Sequence, residues 1–145
     1  MAVGTHINLI KLCVGAEGVE DLLAWQAQRR VQWPDGLPRH ITRMWPKRAE
    51  ELLDGGSLYW VFRGLLLARQ RVLRLDEARG EDGILRCALV LDPQVRRTEI
   101  VPKRPFQGWR YLKPEDAPRD LPEAHRSGEP LPPGLEAALA EIGVR

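Results

Sequence analysis

The sequence holds little of what metal and redox sites are built from. Only two of its 145 residues are cysteines and three are histidines. Cys13 and Cys87 lie far apart among apolar neighbours, and neither Cys-x-x-Cys nor His-x-x-x-His spacing occurs. Because a zinc site needs clustered sulfur and nitrogen ligands, we expect two reduced core thiols, no metal and no cofactor.

Long apolar runs are also missing. The longest, residues 64–68, ends at Arg69, whereas a membrane-spanning helix needs roughly 20 apolar residues. Residues 1–6 lack the charged segment and the long apolar stretch of a signal peptide. We therefore expect no membrane association and a cytoplasmic location.

Motifs of nucleophilic and phosphate chemistry are absent as well. The sequence contains no Gly-x-Ser-x-Gly, no Walker loop and no Gly-x-Gly-x-x-Gly. Residues 54–57 (Asp-Gly-Gly-Ser) lack the Lys-Ser/Thr of a phosphate loop and precede a predicted strand, which favours a helix stop and tight turn. The acidic pairs at 50–51 and 115–116 are adjacent residues whose side chains point apart. We predict no catalytic residues.

The charge that is present is unevenly distributed. Residues 1–38 carry a net charge of −1, residues 39–113 of +7, and residues 114–145 of −4. A basic centre followed by an acidic tail indicates an anionic partner, or a tail that partly shields the basic surface.

Hydrophobic patterning predicts the order β-α-β-α-β-β-β-β followed by a proline-rich tail. The predicted strands span residues 6–14, 39–45, 57–63, 65–75, 84–91 and 96–101, and the predicted helices span 17–31, 46–53 and 135–142. Such an order favours an α+β fold, with a small curved, mostly antiparallel sheet or a partly closed β-barrel and two or three short helices. The long strand at 65–75 could bend at a bulge. We expect a single domain over residues 1–120 and a tail over 121–145.

Three segments, at residues 43–48, 59–63 and 103–111, combine aromatic and basic side chains. Residues 96–113 alone carry six basic side chains and one acidic one. Aromatic rings stack on nucleic-acid bases at roughly 1–3 kcal/mol each, and guanidinium groups bind phosphate. The alternative is structural: in a strand, Tyr59 and Trp60 face opposite sides, so at least one of them belongs to the core.

The chain as a whole resembles the DUF1489 family, short bacterial proteins of unknown function found mainly in alphaproteobacteria. The stretches that carry this resemblance are residues 9–15, 42–48, 52–61, 87–93 and 104–112. The resemblance implies no activity.

A weaker similarity joins the predicted element order to the PUA-like and ASCH barrels. Gly56 and Arg63 match the ends of the ASCH signature Gly-x-Lys-x-x-Glu-x-Arg, but Leu58 and Val61 stand in place of its Lys and Glu. The resemblance implies a PUA-like barrel that binds RNA or modified bases, without the ASCH enzymatic role.

The leading hypothesis is a non-catalytic RNA- or nucleotide-binding domain that uses an arginine and aromatic surface. The predicted contact residues are Trp45, Lys47, Arg48, Tyr59, Arg69, Gln70, Arg104, Phe106, Trp109, Arg110 and Tyr111. One alternative is an enzyme or sensor for a small anionic, nucleotide-like ligand, which requires a closed pocket with a polar group buried beside an arginine. The other is a protein-interaction module that docks its proline-rich tail, or a partner, on the aromatic residues.

Overall fold

The computed structural model describes residues 6–122, which form seven strands and two α-helices. In chain order these are β1 Asn8–Leu12, α1 Val19–Arg29, β2 Arg39–Thr42, α2 Ala49–Leu53, β3 Ser57–Phe62, β4 Leu65–Arg79, β5 Leu85–Leu91, β6 Arg96–Pro102 and β7 Trp109–Leu112. Two short 3-10 helices lie at Arg30–Gln32 and Pro114–Asp116. Neither helix in this part of the chain has the length and apolar character needed to cross a bilayer.

The strands form one mixed sheet in the order β2-β5-β4-β3-β1-β7, and β6 pairs with the other edge of the first half of β4. Only the β1–β3 pair is parallel, and all other named pairs are antiparallel. The α+β class and the mostly antiparallel sheet are therefore confirmed. Within residues 6–122 no backbone pairing joins β2 to β7, so the sheet is open rather than a closed barrel.

Strand β4 holds the two ends of the sheet together. Its first half pairs with β3 and β6, and its second half pairs with β5. The pairing register shifts between Leu66 and Ala68 within the pairing with β6, and between Val72 and Arg74 within the pairing with β5. These irregularities confirm the predicted bulge and explain how one 15-residue strand serves two parts of the sheet.

Both faces of the sheet bury apolar side chains. Trp60 and Phe62 belong to a first core that includes Val19 and Leu22 of α1, whereas Tyr59 and Val61 belong to a second core on the opposite face. Leu112 of β7 also belongs to the second core, and Val101 of β6 packs against it together with Phe106 and Ala117 from the chain that follows β6. All six residues of β3 are consequently buried.

Two elements, α2 and β7, differ from the sequence prediction for identifiable reasons. Helix α2 begins at Ala49 rather than Pro46, because Arg48 has a non-helical backbone and its carbonyl accepts the first helical hydrogen bond, from Leu52. Strand β7 lies where the proline-rich sequence predicted extended or looped chain, and its pairing with β1 stabilises it. The predicted helix at 135–142 and most of the predicted tail lie outside the described residues.

A cavity beside helix α1 as the candidate functional site

The eleven predicted contact residues do not form one surface. In β7, Trp109 and Tyr111 lie on the face of the first core, while Arg110 points to the opposite face and stacks on Phe106 at 5.3 Å. Arg104 is exposed in the loop between β6 and β7. The set is therefore divided between the two faces of the sheet.

Four of the predicted residues, Trp45, Lys47, Arg48 and Tyr111, lie together and form what we call the outer aromatic surface. The backbone N–H of Arg48 donates to the Tyr111 hydroxyl at 3.1 Å, and the Arg48 guanidinium lies 5.5 Å from the Tyr111 ring centre. Trp45 and Tyr111 are 39% and 36% exposed. Lys47 is also exposed, and Arg48 forms an ion pair with Glu51. This surface bridges the loop after β2 and strand β7.

Trp109 joins the same two segments, β7 and the loop after β2, from the interior of the protein. Its ring is buried, lies 5.0 Å from the Tyr111 ring, and donates its indole N–H to the Met44 carbonyl at 3.0 Å. Side-chain contacts thus hold β7 against the loop that follows β2, although the two end strands share no backbone ladder. Trp109 therefore has a structural role.

On the opposite face of the sheet, the Arg69 guanidinium is hydrogen-bonded within the protein. Its guanidinium donates two hydrogen bonds of 2.8 Å to the Asp120 carboxylate and one of 2.8 Å to the Ser57 hydroxyl. The two hydrogen bonds to Asp120 raise the pKa of Arg69. Tyr59, which is opposite Arg69 on the neighbouring strand, is buried. The Arg69–Asp120 ion pair holds the chain after β7 against the sheet. An isolated β-bridge between Thr98 and Asp120 adds a backbone contact there.

Gln70 is fully buried and positions two neighbours. Its amide exchanges two 2.9 Å hydrogen bonds with Gln26 of α1, accepts the indole N–H of Trp60 at 2.9 Å, and donates to the Asp92 carbonyl at 3.0 Å. A buried polar network with every partner present holds its members in one arrangement. Gln70 thus fixes the Trp60 ring and α1 relative to each other.

The Trp60 ring forms part of the wall of a cavity of about 450 Å³ between α1 and the sheet. Helix α1 contributes Trp25 and Leu22, and β2 contributes His40. The remaining lining comes from the end of β1, the turn after it and the first turn of α1: Lys11, Leu12, Cys13, Val14, Gly15, Ala16 and Asp21. The cavity therefore gathers residues from four elements.

Strand pairing explains why a lysine reaches this interior. Lys11 is opposite Trp60 on one side and Trp109 on the other, so its side chain shares their face of the sheet. Burial lowers the pKa of Lys11, because desolvation disfavours the ammonium ion. Its Nζ donates a long hydrogen bond of 3.5 Å to the Leu12 carbonyl. The lysine keeps donors for another acceptor.

His40 faces the same space. Its ring meets the Trp60 ring edge-on, with the centres 5.7 Å apart. Burial, and then the nearby Lys11 charge, lower the pKa of His40 to about 4, so the imidazole is neutral at pH 7. In the described part of the chain, its Nε2 is the one buried side-chain nitrogen or oxygen without a hydrogen-bond partner. Such an atom requires an explanation, because an unsatisfied buried polar group is costly.

The cysteine beside Lys11 is not poised for nucleophilic chemistry. Burial raises the pKa of the Cys13 thiol to about 11, although Lys11 opposes that shift. The thiol therefore remains protonated at neutral pH, and the thiolate is the reactive form. Cys13 and Cys87 are both free thiols. Among residues 6–122 no group of three His, Cys, Asp or Glu side chains could hold a metal ion.

Sequence reasoning missed Lys11, Trp25 and His40 as site residues. One signal was present: Lys11 interrupts a strand whose neighbours on both faces, Leu9 and Ile10 among them, are apolar. A lysine there has to enter a protein interior from either face. Nothing comparable marks His40 and Trp25, because their meeting depends on how α1 packs against β2.

Comparison with known proteins gives a family and no activity. Residues 9–145 match the family described as protein of unknown function (DUF1489). No curated protein and no solved structure matched the chain. Because the family match covers nearly the whole sequence, including every element of the sheet, the chain belongs to the DUF1489 family.

Proposed function

We propose that the protein is a non-catalytic binding domain that holds a small planar ligand of the nucleoside or nucleotide type in the cavity beside α1. The observation that carries the proposal is the lining of this cavity, which brings Trp25 and Lys11 together with a neutral His40 whose buried Nε2 has no hydrogen-bond partner among the described residues. A ligand polar group would supply its missing hydrogen bond. Binding would then remove the free-energy cost of an unsatisfied nitrogen.

The size and lining of the cavity fit such a ligand. Its volume of about 450 Å³ falls within the roughly 300–1,000 Å³ of small-molecule sites, which are mostly apolar with a few placed polar groups. Trp25, which is 39% exposed, supplies flat apolar surface for a heterocyclic ring beside the buried Trp60. Lys11, His40 and Asp21 supply the polar groups, and the Asp21 carboxylate already accepts the Glu17 backbone N–H.

The partly buried Lys11 favours a ligand that carries hydrogen-bond acceptors. Desolvation lowers the pKa of Lys11, and an acceptor placed beside its Nζ would offset that cost. The protonated Cys13 thiol supports binding over thiol catalysis. The small-ligand hypothesis from the sequence requires an arginine in the pocket, whereas the basic residue in this cavity is Lys11.

The test compares two tryptophans of equal exposure. Trp25 lines the cavity and Trp45 belongs to the outer aromatic surface, and each is 39% exposed. Adenosine, guanosine, cytidine and uridine are titrated calorimetrically into wild type, Trp25→Leu and Trp45→Leu. Loss of a stacked ring costs roughly 1–3 kcal/mol, so we expect Trp25→Leu to weaken the best binder about tenfold or more and Trp45→Leu to leave it unchanged.

The absence of binding by all four nucleosides would reject the proposal. A nucleoside affected by Trp45→Leu and not by Trp25→Leu would move the site to the outer aromatic surface.

RNA binding on the outer aromatic surface is the second candidate, in keeping with a PUA-like arrangement. The observation in its favour is a set of exposed cations that form no ion pair among residues 6–122. Lys47 belongs to that surface, Arg104 and Lys113 lie in the loops on either side of β7, and Arg110 lies on the opposite face. This candidate predicts salt-dependent binding of short single-stranded RNA that Trp45→Leu weakens, measured by fluorescence anisotropy. No binding at low ionic strength would exclude it.

A further inference from the structure

A second depression, of about 500 Å³, adjoins the cavity and shares part of its wall. Leu12, Cys13, Gly15 and Ala16 line both spaces. We call the second space the Arg63 depression, and its remaining lining is Glu17, Val61, Arg63, Gly64 and Pro105. The two spaces therefore lie on either side of the turn between β1 and α1.

The turn that separates the two spaces has no large side chain at residues 15 and 16. Gly15 has a positive φ of +87°, and no atom lies within 4 Å of where a side chain would begin. Its neighbour Ala16 carries only a methyl group. A ligand that enters the cavity can therefore extend over residues 15–16 into the Arg63 depression without displacing a large side chain.

The far side of the depression presents a guanidinium. Arg63 and Gly64 form the two-residue turn between β3 and β4, and both have positive φ, 48° and 85°. Such turns suit antiparallel strands, but an arginine rarely adopts this conformation. The Arg63 side chain is 72% exposed, and its only ion pair among the described residues is a 3.5 Å contact with the equally exposed Glu17.

From this arrangement we infer that the ligand is a nucleotide rather than a nucleoside, with its ring in the cavity and its phosphate at Arg63. The inference rests on the proposed function, because it extends the same site. Arginine suits phosphate, since its planar fork donates paired charge-assisted hydrogen bonds. The weak contact with Glu17 is the competitor that a phosphate has to displace, because exposed ion pairs contribute little.

The experiment compares the monophosphate and the free nucleoside of the best-binding base. In wild type we expect the monophosphate to bind about fivefold more tightly, because its phosphate forms paired charge-assisted hydrogen bonds to a guanidinium that stays largely exposed. Arg63→Asn should abolish that preference and leave nucleoside affinity unchanged. Asparagine is chosen because it tolerates positive φ better than most residues. Glu17→Gln should enlarge the preference, since it releases Arg63.

Arg71→Gln is the matched control, because Arg71 is an exposed arginine outside both linings, and we expect the preference to persist. Equal binding of nucleoside and monophosphate by wild type would overturn the inference and leave the proposed function intact. Failure of both ligands to bind would overturn the proposed function itself. A preference that survives Arg63→Asn would place the phosphate elsewhere.

Discussion

At the scale of single residues, His40 is the most informative side chain. Its imidazole is neutral at pH 7, edge-on to Trp60, and its Nε2 has no partner within the described chain. A fold gains nothing from such a nitrogen, whereas a phenylalanine would keep the ring contact without the polar atom. The proposed function offers a reason for a histidine at this position, because His40 lines the cavity.

The same residue makes stability depend on pH. The folded-state pKa of His40, about 4, lies below the ordinary value of 6.5, so only the unfolded chain takes up this proton between those values. Above pH 6.5 the residue makes no contribution, and as the pH falls towards 4 it destabilises the fold. At pH 5 the loss is up to about 2 kcal/mol.

We expect His40→Phe to remove this loss. Urea unfolding at pH 7.5 and pH 5 would measure it as a smaller drop in the free energy of unfolding for the variant than for wild type. Identical drops in both proteins would contradict the assigned burial of His40.

The residue scale also shows where sequence reasoning reached its limit. Trp60 and Tyr59 were weighed as core residues, and both are buried. Gln70 and Trp109 were predicted to contact a ligand, yet each is buried and already hydrogen-bonded within the protein. Sequence composition shows that a ring or an amide is present, but hydrogen-bond partners 44 or 65 positions away are set by tertiary packing.

At the scale of elements, the Gln70 network ties α1 to β3 and so holds two walls of the cavity. Gln70→Met keeps the volume but leaves Gln26 and the Trp60 indole without their partners. We expect a loss of roughly 2–4 kcal/mol in the free energy of unfolding, because buried groups would be unsatisfied.

The exposed Gln107 provides the control, and Gln107→Met should change stability by less than about 0.5 kcal/mol. Chemical denaturation checks both variants. Equal, small effects would show that the network does not hold the cavity walls.

The junction of α2 and β3 is a second structural requirement. A Cβ on Gly56 would lie 2.1 Å from the Ile7 carbonyl oxygen and 2.6 Å from that of Leu52, so Gly56→Ala forces backbone apart. We expect it to cost at least about 3 kcal/mol or to prevent folding.

Gly18→Ala is the matched control. Gly18 has an extended φ of −167° and no atom within 4 Å of a Cβ, so the loss should stay within about 1 kcal/mol. Thermal unfolding of the two alanine variants gives the comparison, and a stable Gly56→Ala protein would refute this account of the junction.

Most elements could be predicted because their patterns are local. The run of β-branched and aromatic residues in β3 and the helical spacing of Val19, Leu22, Leu23 and Ala27 in α1 are visible in the sequence. Strand β7 could not be predicted, because its four residues lie between prolines and acquire strand structure only by pairing with β1. Tertiary pairing overrode local propensity there.

At the scale of the whole molecule, the open sheet buries a separate core on each of its two faces. One face holds the first core, α1 and the cavity, and the other holds the second core, closed by the chain after β7 and by the Arg69–Asp120 ion pair. The positive charge of residues 39–113 is therefore spread over both faces, and several of its arginines form ion pairs with aspartate: Arg39, Arg69, Arg74 and Arg86. A net charge read from sequence overstates what one surface can present.

The central claim is that a ligand completes the hydrogen bonding of His40 inside the cavity. With three histidines in the chain, isotope-labelled histidine gives a simple imidazole NMR spectrum, in which His40→Phe identifies the His40 signals. Addition of the tightest-binding ribonucleoside should shift the His40 Nε2 resonance and leave that of His6 in place. Saturating ligand that leaves the His40 signals unmoved would contradict the claim.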